Sequence, residues 1–360
     1  MLITGGGGLA GLNTARAFAK AGASVVVTVR QMSGRIEKAI EEYRDLIVVE
    51  PVNLARDAEV FDLFSRYSFG GVVHAAQAHQ NAQTRAANRA NYDMLFNCLE
   101  AAAATGVKRF VLLSSIAVYA GLKPPFSEDK RFPVQVGLDN HPDALFSAVN
   151  AGGHRILAMP VFEVTVKRTL EYIALDYAVP MQMGSSATPR SNQRYKANGL
   201  EVAVVRLSTQ FGPGYVNMGS PISLAVHTLA GKGDLMGGTG YGGVPAPLLW
   251  NLIAAAPLLY VRDTASALVR LMQIENIPNR IYNLSSGYTT SPREQLQALY
   301  RLRPDAADRL KIDPESLRAE PYPTSSFNAE LLRSDIGWSP GYSFEEAVKD
   351  YIEWLQLHPY

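Results

Sequence analysis

Cysteine is almost missing. Cys98 is the single one in 360 residues, so an internal disulfide is excluded, and the usage fits a reducing, cytoplasmic compartment. An excess of either charge is missing too. The 34 basic and 33 acidic side chains leave a formal charge of +1, with no block of one sign to attract nucleic acid or an anionic membrane. A transmembrane helix takes about 20 apolar residues. The longest nearly apolar run, "LLWNLIAAAPLLYV" from Leu248 to Val261, is shorter and contains Asn251 and Pro257. It reads as a buried or a substrate-facing segment. No secretory signal is visible, because the chain opens on a short strand and a glycine run. Fixed-period repeats and low-complexity tracts are absent, and no metal site is expected.

What is present is a large apolar fraction. Hydrophobic residues make up 47% and charged residues 19%, the profile of a folded protein with a sizeable core. The first half alternates β-branched runs with helical patterns. "MLIT", "SVVVTVR", "DLIVVEPVN", "GGVVHAAQ" and "KRFVLLSSIAVYA" read as strands, and "LEVAVVRLS" as a later one. "LAGLNTARAFAKAG" and "NYDMLFNCLEAAAATG" read as helices closed by Gly22 and Gly106. Strands apolar along their whole length and separated by helices imply a parallel sheet covered on both faces. The expected fold class is α/β: a Rossmann-type doubly wound parallel sheet with a smaller C-terminal substrate-binding domain. Residues 1–212 would form the nucleotide-binding domain. Residues 213–360 would form mainly the substrate domain, with some chain crossing back to the sheet near 258–285. In that second half "TTSPREQLQALYRL" and "SFEEAVKDYIEWLQ" are amphipathic helices, the first with a Ser-Pro start.

"ITGGGGLAGLNTARAFAKAG" carries Gly5, Gly8 and Gly11 in GxxGxxG spacing, after a strand and at the start of a helix. Glycines there let the backbone turn tightly and approach a pyrophosphate, which sits on the helix N-terminus beside Leu9 and Ala10. The next strand ends in Arg30, where an NAD site has an acidic residue for the ribose diol. With Gln31 beside it and Arg35 nearby, a guanidinium suits the 2′-phosphate, favouring NADP over NAD. A solvated strand-end arginine is the alternative.

The motifs resemble those of the extended short-chain dehydrogenase/reductase family, also called the NAD-dependent epimerase/dehydratase family. The resemblance covers nearly the whole chain. "TGGGGLAG" is similar to TGxxGxxG, and "NYDMLFNCLEAAAATGVKRFVLLSSIAVYA" to NxxGTxNLLEAAxxxGVKRFVxxSSxxVYG. "VVRLSTQFGPG" resembles LRxxxVYGPG, "YVRDTASALV" resembles VDDxAxA, and "LRSDIGWSPGYSFEEAVKDYIEWL" resembles LGWxPxxSLEEGLxxTIxWY. The resemblance implies that Asn53 replaces the adenine-contacting Asp of DLxD, next to Leu54. His74, Ala75 and Ala76 would line the cofactor. Ser115 would be the catalytic serine, with Ser114 as fallback at the cofactor. Lys167, followed by Glu171, matches the lysine of YxxxKxxxE, which holds the nicotinamide ribose. The tyrosine that exchanges the proton is missing: its position holds Glu163.

Three readings of that replacement stay open. Glu163 is spaced for an i,i+4 ion pair with Lys167, or it is a general base, or Tyr119 takes the proton instead. Tyr119 begins "YAGLK", a second Tyr-x-x-x-Lys. His141 and His154 lie in an enlarged segment between Ser115 and Glu163. A second enlarged segment is "PMQMGSSATPRSNQRYKANG". No arginine precedes Arg262 near the family's diphosphate clamp, which suggests a small substrate without a nucleotide diphosphate. The resemblance implies an oxidoreductase or epimerase/dehydratase acting at a carbinol or carbonyl carbon, with NADP or NAD and a homodimer. The alternative is a cofactor-binding sensor or structural subunit without redox turnover.

Overall fold

The computed structural model describes residues 1–78, 84–120, 122, 125–132, 148–149, 155–157, 161–178, 199–215, 220–232, 250, 257–288, 290–320 and 327–358; at 148–149, 155–157 and 161–163 it describes the backbone. The alternating first half folds as β1 (Leu2–Thr4), α1 (Leu9–Lys20), β2 (Val25–Val29), α2 (Gly34–Ile40), β3 (Ile47–Pro51), α3 (Asp57–Arg66), β4 (Gly71–His74), α4 (Arg85–Ala104) and β5 (Arg109–Ser115). A short antiparallel pair follows, β6 (Ala148–Val149) and β7 (Arg155–Leu157), then α5 (Val161–Asp176) and β8 (Glu201–Leu207). After β9 (Thr209–Phe211) come α6 (Pro221–Leu229), β10 (Leu258–Tyr260), α7 (Val261–Gln273), β11 (Ile281–Leu284), α8 (Pro292–Leu302), α9 (Ala306–Leu310), α10 (Glu330–Ile336) and α11 (Phe344–Leu357).

Seven strands form one sheet in the order β11-β8-β5-β4-β1-β2-β3. The pairs β1–β2, β1–β4, β2–β3 and β4–β5 are parallel. The order reverses between β1 and β4. Ligands of such sheets bind outside the strands' carboxyl ends at that switch. The β-branched runs explain the sheet, since β2 and β4 are buried at every residue, as strands covered on both faces must be.

Two compact units result. The first holds residues 1–115, 165–206 and 268–282; the second holds 116–164, 207–267 and 283–360. Residues 268–282 take the chain back to the first unit because β11 extends its sheet next to β8, while 116–164 pack with the second. The first unit's core joins Leu2, Val26, Val60, Leu63, Val72, Leu95, Leu99, Phe110, Val166, Leu170 and Val204. The second unit has helices that start as the sequence announces. Ser291 with Glu294 on α8, and Ser343 with Glu346 on α11, each form a reciprocal capping box.

Among the described residues no helix is long and apolar enough to cross a membrane. Most of the apolar run Leu248–Val261 lies outside the described residues. Of its residues only Trp250 and 257–261 are described, and all of them are buried.

Candidate active site

The glycine loop follows β1 and is shaped by close contacts. Gly5 has φ +70°, and a Cβ there would lie 2.7 Å from the Ala76 Cα and 2.8 Å from the Ala75 oxygen. A side chain is excluded both by space and by backbone conformation. A Cβ on Gly11 would lie 2.4 Å from the Gly5 oxygen. Gly5 and Gly11 therefore hold the loop against itself and against the turn after β4. Gly8 differs: its φ is −90°, and the nearest atom to a Cβ there is the Gly5 oxygen at 3.3 Å. Gly8 is the N-cap of α1 and brings no side chain to cap it. The first N–H groups of a helix lack intrahelical partners and carry the positive end of its dipole. A bare, glycine-lined helix start at the sheet's switch point fits the pyrophosphate of a dinucleotide. Leu9 and Ala10 stand in that first turn, half-buried.

The turn after β4 is tied to β1 through Thr4. Its hydroxyl accepts from the backbone N–H groups of Ala75 and Ala76, both at 3.1 Å, and lies 3.2 Å from His74 Nδ1. A hydroxyl that accepts twice has its own proton left for Nδ1, so the neutral imidazole carries its hydrogen on Nε2. His74 is buried, and desolvation followed by the Lys167 charge pushes it down to about 3. Lys167 is itself buried on α5. The first unit thus brings Gly5, Ala75, Ala76 and His74 together through Thr4.

The two serines at the end of β5 separate, as adjacent strand residues do. Ser114 is buried and its hydroxyl donates to Glu171 Oε1 at 2.5 Å. Ser115 is half-buried. Ser114 is thus engaged with Glu171 on α5.

Tyr119 is engaged as well. It is fully buried in the second unit, ringed by Phe126, Phe132 and Phe327. Its hydroxyl lies 2.8 Å from Asn283 Oδ1 and 3.0 Å from the Ser127 carbonyl oxygen, both of which can only accept. Asn283 is in turn held through its amide by the Phe126 and Asn328 carbonyls.

The remaining expectations fall unevenly. Asn53 Oδ1 accepts from Ala55 N, and its own N–H bonds Glu59, so Asn53 shapes the turn after β3. Leu54 belongs to the core, and its carbonyl holds Asn97. Arg30 is exposed. Arg35, which the sequence offered only as a neighbour, donates to the Gly7 carbonyl at 2.6 Å. Glu163 sits one turn before Lys167 on α5, and only its backbone is described. His141, His154 and nearly all of the second enlarged segment lie outside the described residues, as do 233–249 and 251–256, where a diphosphate clamp was sought. Among the described residues no cluster of His, Cys, Asp and Glu could hold a metal.

Residues 1–136 match the NAD dependent epimerase/dehydratase family. The chain is 23% identical, over 99% of its length and 97% of the other, to the UDP-N-acetyl-alpha-D-glucosaminuronate decarboxylase of Bacillus cytotoxicus. Among solved structures it is similar to UDP-glucose 4-epimerase from Bifidobacterium longum in complex with NAD+ and UDP, with TM-score 0.66, 16% identity, and 99% and 98% of the two chains covered. It is also similar to a partial consensus L-threonine 3-dehydrogenase, with TM-score 0.63, 18% identity and the same coverage. At these identities the structures establish the fold. The expectation of a substrate without a nucleotide diphosphate finds no support here, because the decarboxylase and the epimerase are both named for UDP-sugars. The match to the NAD dependent epimerase/dehydratase family covers the N-terminal 136 residues, and the chain as a whole has the fold of these solved structures.

Proposed function

We propose that the protein is an NAD(P)-dependent enzyme that oxidises or reduces a carbinol or carbonyl carbon of a nucleotide sugar, as a step of epimerisation, dehydration or decarboxylation. The observation that carries this reading is the junction of the glycine loop with Ala75–Ala76 at the bare start of α1. The pyrophosphate would lie on the N–H groups at the start of α1. Lys167 would hold the nicotinamide ribose, and Ser115 would orient the substrate oxygen. Bound NAD(P) supplies a hydride acceptor at the nicotinamide.

Glu163 is the proton carrier in this reading. It replaces the family's tyrosine one helical turn before Lys167. A carboxylate accepts the hydroxyl proton as the carbon is oxidised and returns it on reduction. In a closed site, desolvation raises a carboxylate's proton affinity and a neighbouring ammonium lowers it, so the two effects oppose. UDP-sugars are the substrate class because the relatives above are named for them. NADP is preferred over NAD in the finer proposal, from Arg30 at the end of β2 and Arg35 at the loop. Residues 1–212 serve mainly the cofactor and 213–360 mainly the substrate. A homodimer forms through α4 and α5.

The buried Tyr119 favours a second reading, a cofactor-binding protein without redox turnover, in which no tyrosine supplies a proton. Calorimetric titration with NADH and NADPH, followed by turnover assays with UDP-glucose, UDP-glucuronate and L-threonine, separates the two. The proposal expects micromolar or tighter cofactor binding and turnover with a UDP-sugar. Arg30→Asp shifts the preference toward NADH by roughly tenfold or more, the worth of one charge-assisted contact. Equal affinities, unchanged in Arg30→Asp, sink the NADP preference. Cofactor binding without turnover supports the second reading.

A further inference from the structure

Behind Lys167 and Ser115 lies a buried ion pair that the proposed chemistry does not use. Glu171 is on α5, one turn after Lys167. Arg206 Nη2 donates to Glu171 Oε2 at 2.8 Å, and Arg206 Nε donates to Oε1 at 3.0 Å. Both side chains are 2% exposed. The same carboxylate accepts from Ser114 on β5. One carboxylate thus joins α5 to two neighbouring strands, β8 through Arg206 and β5 through Ser114. All of these residues belong to the first unit.

Such a pair is weak evidence for stability, because well-packed apolar side chains often serve as well or better. Its geometry does fix position. An α-helix lying on a sheet can slide along its axis and roll about it. A forked guanidinium contact on one side and a hydroxyl on the other oppose both motions. Residues four apart on a helix share a face, so whatever sets Glu171 also sets Lys167. Ser114 precedes Ser115 in the same strand, and holding the one aims the other to the opposite face. We propose that Glu171 is a positioning residue for the reaction: anchored by Arg206 and Ser114, it places the Lys167 ammonium and the Ser115 hydroxyl at the nicotinamide end of the site. The inference rests on the reading of Lys167 as the ribose-binding lysine.

Glu171→Gln alone leaves the Arg206 charge buried without a counter-charge, and such a variant risks unfolding. The test therefore removes both charges at once, with Glu171→Met and Arg206→Met in one protein. Ser114→Ala, which leaves the pair intact, is the second variant. NADH affinity is measured by fluorescence titration in wild type, in both variants, in Lys167→Met, and in each variant combined with Lys167→Met. Thermal melts confirm folding. The ¹⁵N-imidazole signals of His74 report independently on where Lys167 lies. The proposal expects the double Met variant to bind NADH roughly tenfold more weakly, on the scale of Lys167→Met itself. It expects no further loss when Lys167→Met is added, and a shifted His74 signal in both variants. Wild-type affinity in the double Met variant overturns the proposal, and so does a loss fully additive with Lys167→Met. If wild type binds no NADH, the functional reading fails first. If Lys167→Met weakens NADH and the double Met variant does not, only the positioning role fails.

Discussion

Glu163 concentrates the question of chemistry into one side chain. Glutamine has nearly its shape and keeps a hydrogen-bonding end, but it cannot take up a proton. Glu163→Gln should keep the melting temperature and NADH affinity of wild type while turnover falls by roughly 10²–10⁴-fold. Steady-state rates measured beside the melts check this. A mere surface ion pair would cost about 0.3–0.5 kcal/mol and leave turnover unchanged. Glu163→Tyr rebuilds the family's motif beside Lys167 and should retain activity. The residues differ in how far the sequence revealed them. Gly5, Gly8 and Gly11 announced themselves by spacing, because the cause of the pattern is local. The engagement of Ser114 did not, since it depends on Glu171, 57 positions away. The burial of Tyr119 was also hidden, because its partner Asn283 lies 164 positions on.

At the scale of elements, α1 and its loop make two kinds of glycine distinguishable. In Gly11→Ala the added carbon meets the Gly5 carbonyl at 2.4 Å, so backbone must move. Overpacking of that kind costs typically about 1–3 kcal/mol. In Gly8→Ala the neighbouring oxygen is 3.3 Å away, so the fold should tolerate the methyl. NADH affinity should instead fall by at least about tenfold, because the methyl projects where the pyrophosphate approaches. Melting curves and titrations on both variants should show this crossed pattern. Helices α4 and α5 show an apolar feature that the first unit itself leaves uncovered. Phe96 is 42% exposed on α4 and Tyr172 is 62% exposed on α5. If they pack against a second copy, light scattering should report a dimer in wild type and a monomer in Phe96→Glu with Tyr172→Glu. A wild-type monomer excludes that arrangement. Element identity was legible wherever burial was continuous, as in β2, β4 and β5. The start of α4 was not: Arg85–Ala90 lacks an apolar stripe, and the helix begins earlier because Thr84 caps it by accepting from Ala87 N.

Across the whole molecule, each unit buries a neutral histidine. Burial, helped by Lys167, pushes His74 down to about 3. Burial pushes His227, bonded at Nε2 to the Tyr351 hydroxyl, down to about 4. Both values lie below the unfolded value of ~6.5. The unfolded chain therefore binds these protons more readily, and stability rises with pH across the window between the two states. It is complete above ~6.5 and is lost as pH falls toward the folded values. Urea midpoints should show a loss of roughly 2 kcal/mol per histidine between about pH 7 and about pH 5. His227→Asn should remove about half of that slope, and an unchanged slope would mean that His227 is charged in the folded protein. The parallel sheet was legible from the alternation of strand and helix. The placing of residues 116–164 with the second unit was not, because no change in composition marks it.

The central claim is redox competence without the family's tyrosine, and rapid mixing tests it directly. NAD(P)-loaded protein is mixed with UDP-glucose or UDP-glucuronate, and the near-ultraviolet absorbance of reduced nicotinamide is followed. The account predicts a transient of reduced cofactor in wild type, slowed by roughly 10²–10⁴-fold in Glu163→Gln at equal cofactor occupancy. A flat trace in wild type with cofactor fully bound, or an identical transient in Glu163→Gln, would contradict it.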